Sequence, residues 1–573
     1  MNSYYLGVDV GTGSARAAVI DAEGSLVALA VEPIMTYNPK HDIFEQSANN
    51  IWESICKTVR EAMAQAKIAP EQVKGLGFDA TCSLVVLDKS GAPLSVDQVS
   101  GYDDHNLNII LWADHRALDQ ANRINATQHD VLRYVGNTIS LEMEIPKILW
   151  LKENMPPAKW DAIGYLFDLP DYLTHRATGS FARSTCSLTC KCSYLPKGVG
   201  KGWDESYFKA IGLECLINDE QQRLGGTDVD NLPMAGDCIG KLTAEAAAQL
   251  GLPEGLPVGS AVIDAYAGAI ATLGATPSPV ERDALLERSS LSKLGSNRLA
   301  IICGTSSCHI AMSPDPIFVP GVWGPYRSVM IPDMWCAEGG QSSTGQLIDH
   351  VLKTHPALEE AQRLADAENM NIYAYLNRHL ELMQQSHQFK HLEDLTRQMH
   401  IYPDFHGNRS PLADPGLKGM IVGLSLDSSI DDLATKYLAT LQAISCQTRH
   451  IIECLNERGY TIDTLCLSGG LCKNPVFVRL HADITRCRVV LPECIDGAVV
   501  IGAALLGAKA SGVCDNLWEV MVRMGRAGRE VEPTTDKEVI AMNERRYRVF
   551  HAMLQDQKNY VDIMTGADEK SSD

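Results

Sequence analysis

Positive charge is scarce in this sequence. Among 573 residues, 50 Lys and Arg stand against 71 Asp and Glu, the formal net charge is −21, and no basic cluster stands out. Nucleic acids and anionic membranes attract proteins mainly through clustered positive charge, so neither is expected as a partner. A small phosphorylated ligand is still compatible with this charge, because backbone N–H groups can hold an anion inside an acidic protein.

Long hydrophobic runs and a targeting segment are also missing. The uncharged stretch Ala265–Val280 contains two prolines and is shorter than the ~20 apolar residues that span a membrane. The first ten residues lack the basic start and apolar core of a signal peptide, and the 17 cysteines are odd in number and spread along the chain. We therefore expect no transmembrane helix, no disulfide framework and a cytoplasmic location.

Two site signatures are absent as well. The Gly-Lys pairs at 200–201 and 240–241 lack the upstream glycine and the following Ser or Thr of a Walker P-loop. Cys186, Cys190 and Cys192 lack the spacing of paired zinc knuckles, and no His follows at ligand distance. Buried thiols that pack as small hydrophobic groups are the favoured interpretation of these cysteines.

Hydrophobic residues make up 45% of the chain, which suffices for buried cores in at least two domains. Near the N-terminus, Tyr4–Val10, Ala15–Asp21 and Leu26–Glu32 are strand-like segments separated by turns, which predicts an antiparallel meander. Apolar residues at helical spacing over Ser47–Lys67 predict an amphipathic helix, and Val73–Asp79 returns to strand. An α/β domain follows from this order.

A similar order recurs later in the chain. Arg298–Ile302 and His309–Met312 predict two strands around a small-residue turn, and Thr464–Leu467 and Arg488–Leu491 predict further strands before glycine-containing turns. The duplication suggests two related halves that face a cleft, with their junction near residue 272.

Three other segments are set apart by composition. Thr276–Asn297 is polar, with a short helix expected in its middle, and Pro356–His400 looks like one or two surface helices. Thr534–Met564 predicts a closing helix, followed by a frayed end at Thr565–Asp573.

Two turns are candidate phosphate sites. Asp9-Val10-Gly11-Thr12-Gly13-Ser14 joins two predicted strands, where glycines permit positive φ and let backbone N–H groups approach an anion. Asp9 could reach a magnesium ion, although an ordinary hairpin turn is the alternative. The second turn, Gly304-Thr305-Ser306, favours the phosphate interpretation, because turns from two halves could hold the β- and γ-phosphates of a nucleotide from both sides.

A third loop, Ser468 to Pro475, follows a strand and opens a helix. Its glycine pair would let a base or ribose lie on bare backbone, and Asn474 offers amide hydrogen bonds. A plain strand-to-helix loop is the alternative.

Polar residues at strand ends suggest a substrate site. Asp264 follows the apolar segment Gly259–Ile263 and could accept a proton from a substrate hydroxyl, or cap the next helix, or do both. The segment Trp112–Arg116 offers an aromatic face, a carboxylate and a guanidinium to a polyhydroxylated ligand, with an edge strand and a surface ion pair as the alternative. The segment Asp79–Ser83 presents small hydroxyl groups after a strand.

In this order, the motifs resemble the FGGY family of carbohydrate kinases. The resemblance extends from Tyr5 to about Gly512 and includes the late segment Asp496–Gly507. It implies an actin-like ATPase fold of two ribonuclease-H-like domains around a cleft. Residues 1–272 would hold the sugar site, the first phosphate turn and the base, and residues 273–573 the second turn and the adenosine site.

The resemblance also implies roles for individual residues. Asp264 is the expected general base, which also contacts the substrate, and Asp9 is the expected magnesium ligand. The other expected sugar contacts are Thr81, Cys82, Ser83, Trp112, Asp114 and Glu142. The expected ATP contacts are Gly11, Thr12, Gly13, Gly304, Thr305, Gly345, Gly470, Leu471 and Asn474.

The implied activity is ATP-dependent phosphorylation of a pentose, with D-ribulose converted to D-ribulose 5-phosphate. Xylulose kinases carry Gln-Met-His-Gly and glycerol kinases an Arg-Glu pair where this chain has Thr-Cys-Ser-Leu, and Gly77–Val85 looks most like the D-ribulokinase branch. Ribitol kinase, L-ribulokinase and xylulokinase activities stay open, as does a homodimer. A nucleotide-driven actin-like protein without kinase activity, or a sugar-binding regulator without catalysis, are the alternatives from other classes.

Overall fold

The computed structural model describes residues 3–218, 222–287, 291 and 295–566. It divides into two compact units that alternate along the chain. The first comprises Met1–Ser296, Ile310–Glu338 and Pro492–Gly528, and the second comprises Asn297–His309, Gly339–Leu491 and Arg529–Asp573. The functional division at residues 272 and 273 stays a prediction.

The described part of the first 296 residues contains both strands and helices. The strands are β1 (Tyr4–Val10), β2 (Ser14–Asp21), β3 (Leu26–Pro33), β4 (Thr36–Lys40), β5 (Ile43–Gln46), β6 (Val73–Ala80), β7 (Leu84–Asp88), β8 (Ile109–Ile110), β9 (Ile163–Asp168), β10 (Cys238–Lys241), β11 (Pro257–Gly259) and β12 (Val262–Ile263). The helices are α1 (Ala48–Ala66), α2 (Leu118–Ala126), α3 (Glu144–Asn154), α4 (Pro157–Ala162), α5 (Leu169–Thr178), α6 (Thr185–Lys191), α7 (Glu205–Ala210), α8 (Glu214–Asn218), α9 (Ala244–Leu250), α10 (Asp264–Leu273) and α11 (Pro279–Leu286).

The rest of the chain has longer helices. Its strands are β13 (Arg298–Cys303), β14 (Ser307–Ser313), β15 (Trp323–Arg327), β16 (Trp335–Gln341), β17 (His400–Tyr402), β18 (Met420–Val422), β19 (Thr464–Ser468), β20 (Arg488–Pro492) and β21 (Ala527–Val531). Its helices are α12 (Gly345–Lys353), α13 (Leu358–Ala367), α14 (Ile372–Ser386), α15 (Ile430–Glu457), α16 (Pro475–Thr485), α17 (Ala498–Ala510), α18 (Leu517–Met524) and α19 (Lys537–Thr565).

Several predicted elements are confirmed. β1, β2 and β3 form the antiparallel meander, and α1 begins after Ser47, whose hydroxyl accepts the Asn50 N–H at 3.3 Å. The helix ends at Lys67 in the left-handed conformation. The expected short helix of the 276–297 segment is α11, the 356–400 segment contains α13 and α14, and the closing helix is α19. The chain after residue 566 lies outside the described residues.

The main sheet of the first unit has the order β10-β11-β6-β1-β2-β3, and β12 also pairs with β6. β1 and β6 are parallel, with Asp9 beside Asp79, and β12 is parallel to β6, with Val262 beside Asp79. The carboxyl ends of three strands therefore meet at one edge of the sheet, where the first phosphate turn, the 81–83 loop and α10 begin.

Helix α17 packs directly on this sheet. A Cβ atom on Gly7 of β1 would lie 2.1 Å from the Val500 carbonyl oxygen, and one on Gly77 of β6 would lie 2.0 Å from that of Ala503. The late segment that carries part of the family resemblance thus belongs to the core of the first unit. Only glycine allows so close an approach between helix and strand backbones.

The first unit also contains a five-stranded sheet with the order β4-β5-β8-β7-β9. β8 pairs with both β5 and β7, so it is an interior strand. The alternative prediction, an edge strand before the Trp112–Arg116 segment, is therefore wrong.

A second seven-stranded sheet has the order β15-β16-β14-β13-β19-β20-β21. Within the second unit, β13, β19 and β20 are parallel, and the predicted turn at 304–306 joins β13 to β14. A small sheet of β17 and β18 packs beside α15. Of the helices in the described ranges, none is long and apolar enough to cross a membrane.

Candidate active site

Three carboxylates meet at the carboxyl edge of the main sheet in the first unit. Asp9 lies one residue before the end of β1, within the phosphate-turn motif, Asp79 lies beside it near the end of β6, and Asp264 starts α10 directly after β12. The Asp264 carboxylate accepts the Ala265 N–H at 2.7 Å, but the N-cap of α10 is Ile263, so the prediction that Asp264 caps this helix is wrong. Asp9 and Asp79 are almost completely buried.

Burial makes these carboxyls harder to ionise. Burial and the neighbouring charges of Asp9 and Asp264 raise the pKa of Asp79 well above its usual value. Burial also raises the pKa of Asp9, against the opposing charge of Arg16. Burial and the Asp9 charge raise the pKa of Asp264 to about 7. A carboxylate with such a pKa can accept a proton from a hydroxyl near neutral pH.

The paired ends of β1 and β6 carry the carboxylates Asp9 and Asp79, which are candidate ligands of magnesium. Asp9 has a long contact with Arg16, 3.4 Å from Nη1 to Oδ2, and its carboxyl interacts with that of Asp79. In the described ranges no N–H group or alcohol hydroxyl donates to either oxygen of Asp79. No cluster of three or more His, Cys, Asp and Glu in the described part of the chain has the arrangement of a metal site. Magnesium usually takes one or two carboxylates and completes its shell with water and phosphate, so Asp9 and Asp79 fit such a partial site.

The first phosphate turn is tight and open to solvent. The Gly11 N–H donates to the Ser14 carbonyl at 3.0 Å, and Thr12 and Gly13 are exposed. A Cβ atom on Gly13 would meet no atom within 4 Å. Neither Gly11 nor Gly13 has positive φ, so the expectation that the glycines serve a left-handed backbone is wrong. Because these two glycines have no side chains, the turn has free space around its backbone.

The 81–83 loop lies directly after β6. Thr81 and Cys82 are buried except for a small exposed fraction, and Ser83 is completely buried. The Cys82 thiol lies 3.8 Å from the backbone carbonyl of Glu142, which connects this loop to the segment before α3. The loop and Glu142, which the sequence assigns to one sugar site, are therefore neighbours.

Trp112 connects the expected sugar and phosphate sites. Its indole Nε1–H donates to the Thr12 hydroxyl at 2.9 Å, and its backbone N–H donates to the Ser83 hydroxyl at 3.3 Å. Lys147, which is buried, donates to the backbone carbonyls of Leu111 and Trp112 at 2.9 and 3.4 Å. The position of the indole is thus fixed by three elements of the first unit.

Asp114 has a different environment from the one expected. Its carboxylate is completely buried, accepts the Phe44 N–H at 2.7 Å and pairs with Arg116, which also pairs with Glu45 at 2.8 Å. The alternative prediction of an ion pair at the surface is therefore wrong, because Asp114 and Arg116 form a buried pair. In this arrangement Asp114 holds the segment in place, and its contact with a sugar stays a prediction.

A second buried ion pair lies near Asp264 and was not found from the sequence. Lys191 at the end of α6 lies 3.3 Å from Glu338 of β16, and the Tyr266 hydroxyl lies 3.4 Å from the same carboxylate. Although burial opposes it, the charge of Glu338 holds the pKa of Lys191 well above its usual value. The charge of Lys191 lowers the pKa of Asp264 and the charge of Glu338 raises it, so the pair acts electrostatically on the expected base.

No local signal identifies this pair in the sequence. Lys191 lies within the segment that contains Cys186, Cys190 and Cys192, and Glu338 is 147 positions further along the chain. Cys186, Cys190 and Cys192 are buried with free thiols, as expected.

In the second unit, the 304–306 turn is held by the start of α12. The Thr344 and Gln346 N–H groups donate to the Thr305 carbonyl at 3.0 and 3.1 Å, and a Cβ atom on Gly345 would lie 2.7 Å from the Gly304 carbonyl oxygen. Thr305 is exposed, so its hydroxyl is available to a ligand. Gly345 thus supports the turn that the sequence assigns to phosphate.

The expected adenosine loop opens α16. Gly470 is exposed and a Cβ atom there would meet no atom within 4 Å, while Leu471 is half-buried. Gly469 has a φ of 93° and lies so close to Cys303 that only glycine fits. The loop therefore offers a bare backbone surface, as predicted.

Asn474 is engaged inside the protein. Its Oδ1 accepts the Val476 N–H at 3.1 Å and caps α16, and it also accepts from Asn377 of α14 at 2.9 Å. Its Nδ2 donates to the Tyr437 hydroxyl at 2.6 Å, and this hydroxyl donates to Asn377 Oδ1 at 3.2 Å. The ring of hydrogen bonds fixes the loop, and a direct contact of Asn474 with adenosine stays a prediction.

Comparison with known proteins covers nearly the whole chain. The model of the FGGY family of carbohydrate kinases, N-terminal domain, matches residues 4–271, and that of the C-terminal domain matches residues 299–511. The chain is 48% identical to an FGGY carbohydrate kinase domain-containing protein of Homo sapiens, with 98% of each chain covered.

Two further likenesses are informative. The chain is 45% identical to a D-ribulokinase of Saccharomyces cerevisiae, over 89% of this chain and 72% of the relative. The crystal structure of a xylulose kinase from Rhodospirillum rubrum aligns with a TM-score of 0.73 at 20% identity, over 97% of this chain and 99% of that one. At this identity the structural likeness concerns the fold, and the predicted actin-like ATPase fold is confirmed.

Proposed function

Because this chain belongs to the FGGY family of carbohydrate kinases, we propose that it transfers the γ-phosphoryl group of ATP to the terminal C5 hydroxyl of D-ribulose. The observation that carries this proposal is Asp264, a carboxylate at the edge of the main sheet whose pKa of about 7 suits a base for a hydroxyl proton. The yeast relative at 45% identity, named a D-ribulokinase, supports the choice of sugar.

In this proposal, the residues of the first unit bind the pentose and remove its proton. Asp264 accepts the proton of the attacking hydroxyl as the phosphoryl group is transferred. Thr81, Cys82, Trp112 and Glu142 surround the pentose. Ser83 and Asp114 are completely buried, so in this proposal they support the sugar site, and their direct contact with the pentose stays a prediction.

The pair of Lys191 and Glu338 adds a donor and an acceptor near the base. A ketopentose carries hydroxyls and a carbonyl, and fixed, buried groups of both kinds discriminate strongly between sugars that differ at one polar group. We infer that this pair contributes to the choice of pentose.

ATP and magnesium occupy the two phosphate turns in this proposal. Gly11, Thr12 and Gly13 are the proposed phosphate contacts of the first unit, and Gly304, Thr305 and Gly345 are those of the second. Gly470, Leu471 and Asn474 form the adenosine surface. Asp9 and Asp79 would hold Mg²⁺, which when bound neutralises charge on the transferred phosphoryl group. Reduced cytoplasm is the proposed location, supported by 17 free cysteines.

A coupled ADP-release assay over D- and L-ribulose, D- and L-xylulose, the pentitols and glycerol tests the proposal. We expect the highest kcat/KM with D-ribulose, and product analysis should place the phosphate on C5. A higher kcat/KM for D-xylulose or glycerol would contradict the interpretation of the 81–83 loop, and ribitol as the best substrate would make the protein a pentitol kinase. ADP release at the same rate without any sugar would favour a nucleotide-driven protein.

A further inference from the structure

The loop assigned to the sugar is held by a carboxylate that the proposed mechanism does not use. Asp168 is the last residue of β9 and lies opposite Leu84 in the pairing of β9 with β7. It is buried, and its Oδ1 accepts the N–H of Ser83 at 2.9 Å and that of Leu169 at 3.0 Å. One oxygen therefore joins the start of α5 to the end of the loop after β6.

The backbone of Ser83 is fixed on both sides. While its N–H donates to Asp168, its carbonyl accepts the Leu169 N–H at 2.9 Å. Both backbone groups of this loop residue thus have their partners at the start of α5. A rotation of the Ser83 peptide would break two buried hydrogen bonds at once.

The hydroxyl of Ser83 connects this fixed backbone to two residues of the proposed sugar site. It accepts the Trp112 backbone N–H at 3.3 Å and lies 3.4 Å from the Thr81 hydroxyl. Thr81 and Trp112 are two of the residues that surround the pentose in the proposed function. Their geometry therefore depends on where Ser83 is held.

We propose that Asp168 is a positioning residue for the sugar site, which acts through Ser83 on Thr81 and Trp112 and does not touch the sugar. The proposal rests on the proposed function. Binding groups must stay within about half an ångström of their productive geometry, and residues behind them maintain it. A hydrogen bond to a charged acceptor is stronger than a neutral one, which suits an anchor of this kind.

Two substitutions separate the anchor from the helix cap that Asp168 also provides. Asp168→Ser keeps a favoured N-cap residue for α5, but its shorter side chain does not reach the Ser83 N–H. Asp168→Asn keeps an acceptor oxygen of nearly the same reach. As a matched control, Asp204→Ser changes the N-cap of α7, where Asp204 accepts the Tyr207 N–H at 3.0 Å.

Each variant is measured with the carbohydrate that the wild type phosphorylates best, for KM of the sugar and KM of ATP. We expect Asp168→Ser to raise the sugar KM by about 10-fold to 100-fold, as the loss of a buried charge-assisted hydrogen bond requires. The KM of ATP should change by less than about twofold, and Asp168→Asn should stay within about threefold of wild type for both. Asp204→Ser should leave both KM values unchanged.

Hydrogen exchange of the peptide that contains Ser83 gives a readout independent of turnover. In Asp168→Ser we expect faster exchange at residues 81–83 and 112, with wild-type exchange in β1 and α1. A folded Asp168→Ser protein with wild-type sugar KM would overturn the proposal, as would equal rises in the KM values of sugar and ATP. If the wild type phosphorylates no carbohydrate, the proposed function fails by itself. The anchor is then overturned by unchanged exchange and supported by the local increase.

Discussion

At the residue scale, the proposed chemistry depends on how easily Asp264 ionises. Burial and the charge of Asp9 raise its pKa to about 7. Only the ionised carboxylate can accept a proton, so we expect kcat/KM to fall as the pH decreases through 7 and to level off above it. A pH profile of the sugar reaction measures this. A profile that is flat between pH 6 and 8, with ATP saturating, would speak against Asp264 as the base.

Asp264→Asn tests the same residue directly. The amide oxygen can still accept the Ala265 N–H, which Asp264 now accepts at 2.7 Å, but it cannot take the hydroxyl proton. We expect kcat to fall by at least about 100-fold with far smaller changes in sugar and ATP affinity. Asp204→Asn, at the N-cap of α7, is the control with unchanged kcat. If Asp264→Asn lowers only the melting temperature, a structural role of Asp264 is sufficient.

The exposed Thr305 is the corresponding test in the second unit. Thr305→Val keeps the branched shape and the backbone bonds to α12 but loses the hydroxyl, so the γ-phosphate loses a donor. We expect the KM of ATP to rise and kcat to fall, each by about threefold to tenfold. Thr305→Ser retains the hydroxyl and should stay near wild type. Wild-type kinetics of Thr305→Val would contradict the phosphate-binding role, and the 304–306 segment would then be interpreted as an ordinary hairpin turn.

Single residues show what the sequence can and cannot reveal. Asp264 was predicted because a carboxylate at the end of an apolar strand is a local pattern. Lys191 and Glu338 were not, since residues 147 positions apart meet only through the fold. The ion pair of Asp114 was predicted to lie at the surface, yet Asp114, its neighbour Arg116 and the distant Glu45 form a buried ion-pair cluster.

At the scale of elements, the elements predicted from the sequence are those with strong periodicity. The meander β1 to β3 and helix α1 have continuous apolar patterns, and turn residues mark their ends. The five-stranded sheet was not predicted, because its strands are two to six residues long and pair across distant parts of the chain. The positive φ expected at Gly11 and Gly13 was wrong, because glycine also serves where only space is needed.

Helix α14 is more than the surface helix that composition suggested. Its Asn377 completes the hydrogen-bond ring with Asn474 and Tyr437 that fixes the adenosine loop. We expect Asn377→Ala to raise the KM of ATP by about threefold to tenfold and to leave the sugar KM unchanged. Gln362→Ala on α13, whose amide donates to Asp366, is the control. An unchanged KM of ATP would mean that the loop holds its shape without α14.

At the scale of the whole molecule, the proposal requires one ternary complex of protein, pentose and Mg-ATP. The expected sugar residues belong to the first unit and the adenosine loop to the second. Coupling between two ligands is reciprocal, so each should tighten the binding of the other. We expect both together to raise the melting temperature of Asp264→Asn, which avoids turnover, by more than the sum of the separate effects. A strictly additive shift would contradict coupled binding.

The position of α17 has a consequence for how the protein is made. The strands β1 and β6 are synthesised first, but the helix that covers Gly7 and Gly77 follows more than 400 residues later. In a ribosome-bound chain that ends at residue 296, the face of the main sheet that α17 covers is therefore still exposed. It stays exposed until α17 has been synthesised. We expect a fragment of residues 1–296 to aggregate or to melt without cooperativity, and a separately supplied segment of residues 492–528 to restore a cooperative transition. The melting of the fragment is measured by circular dichroism. A cooperative transition of the fragment alone would show that the sheet folds without α17, which would contradict this prediction.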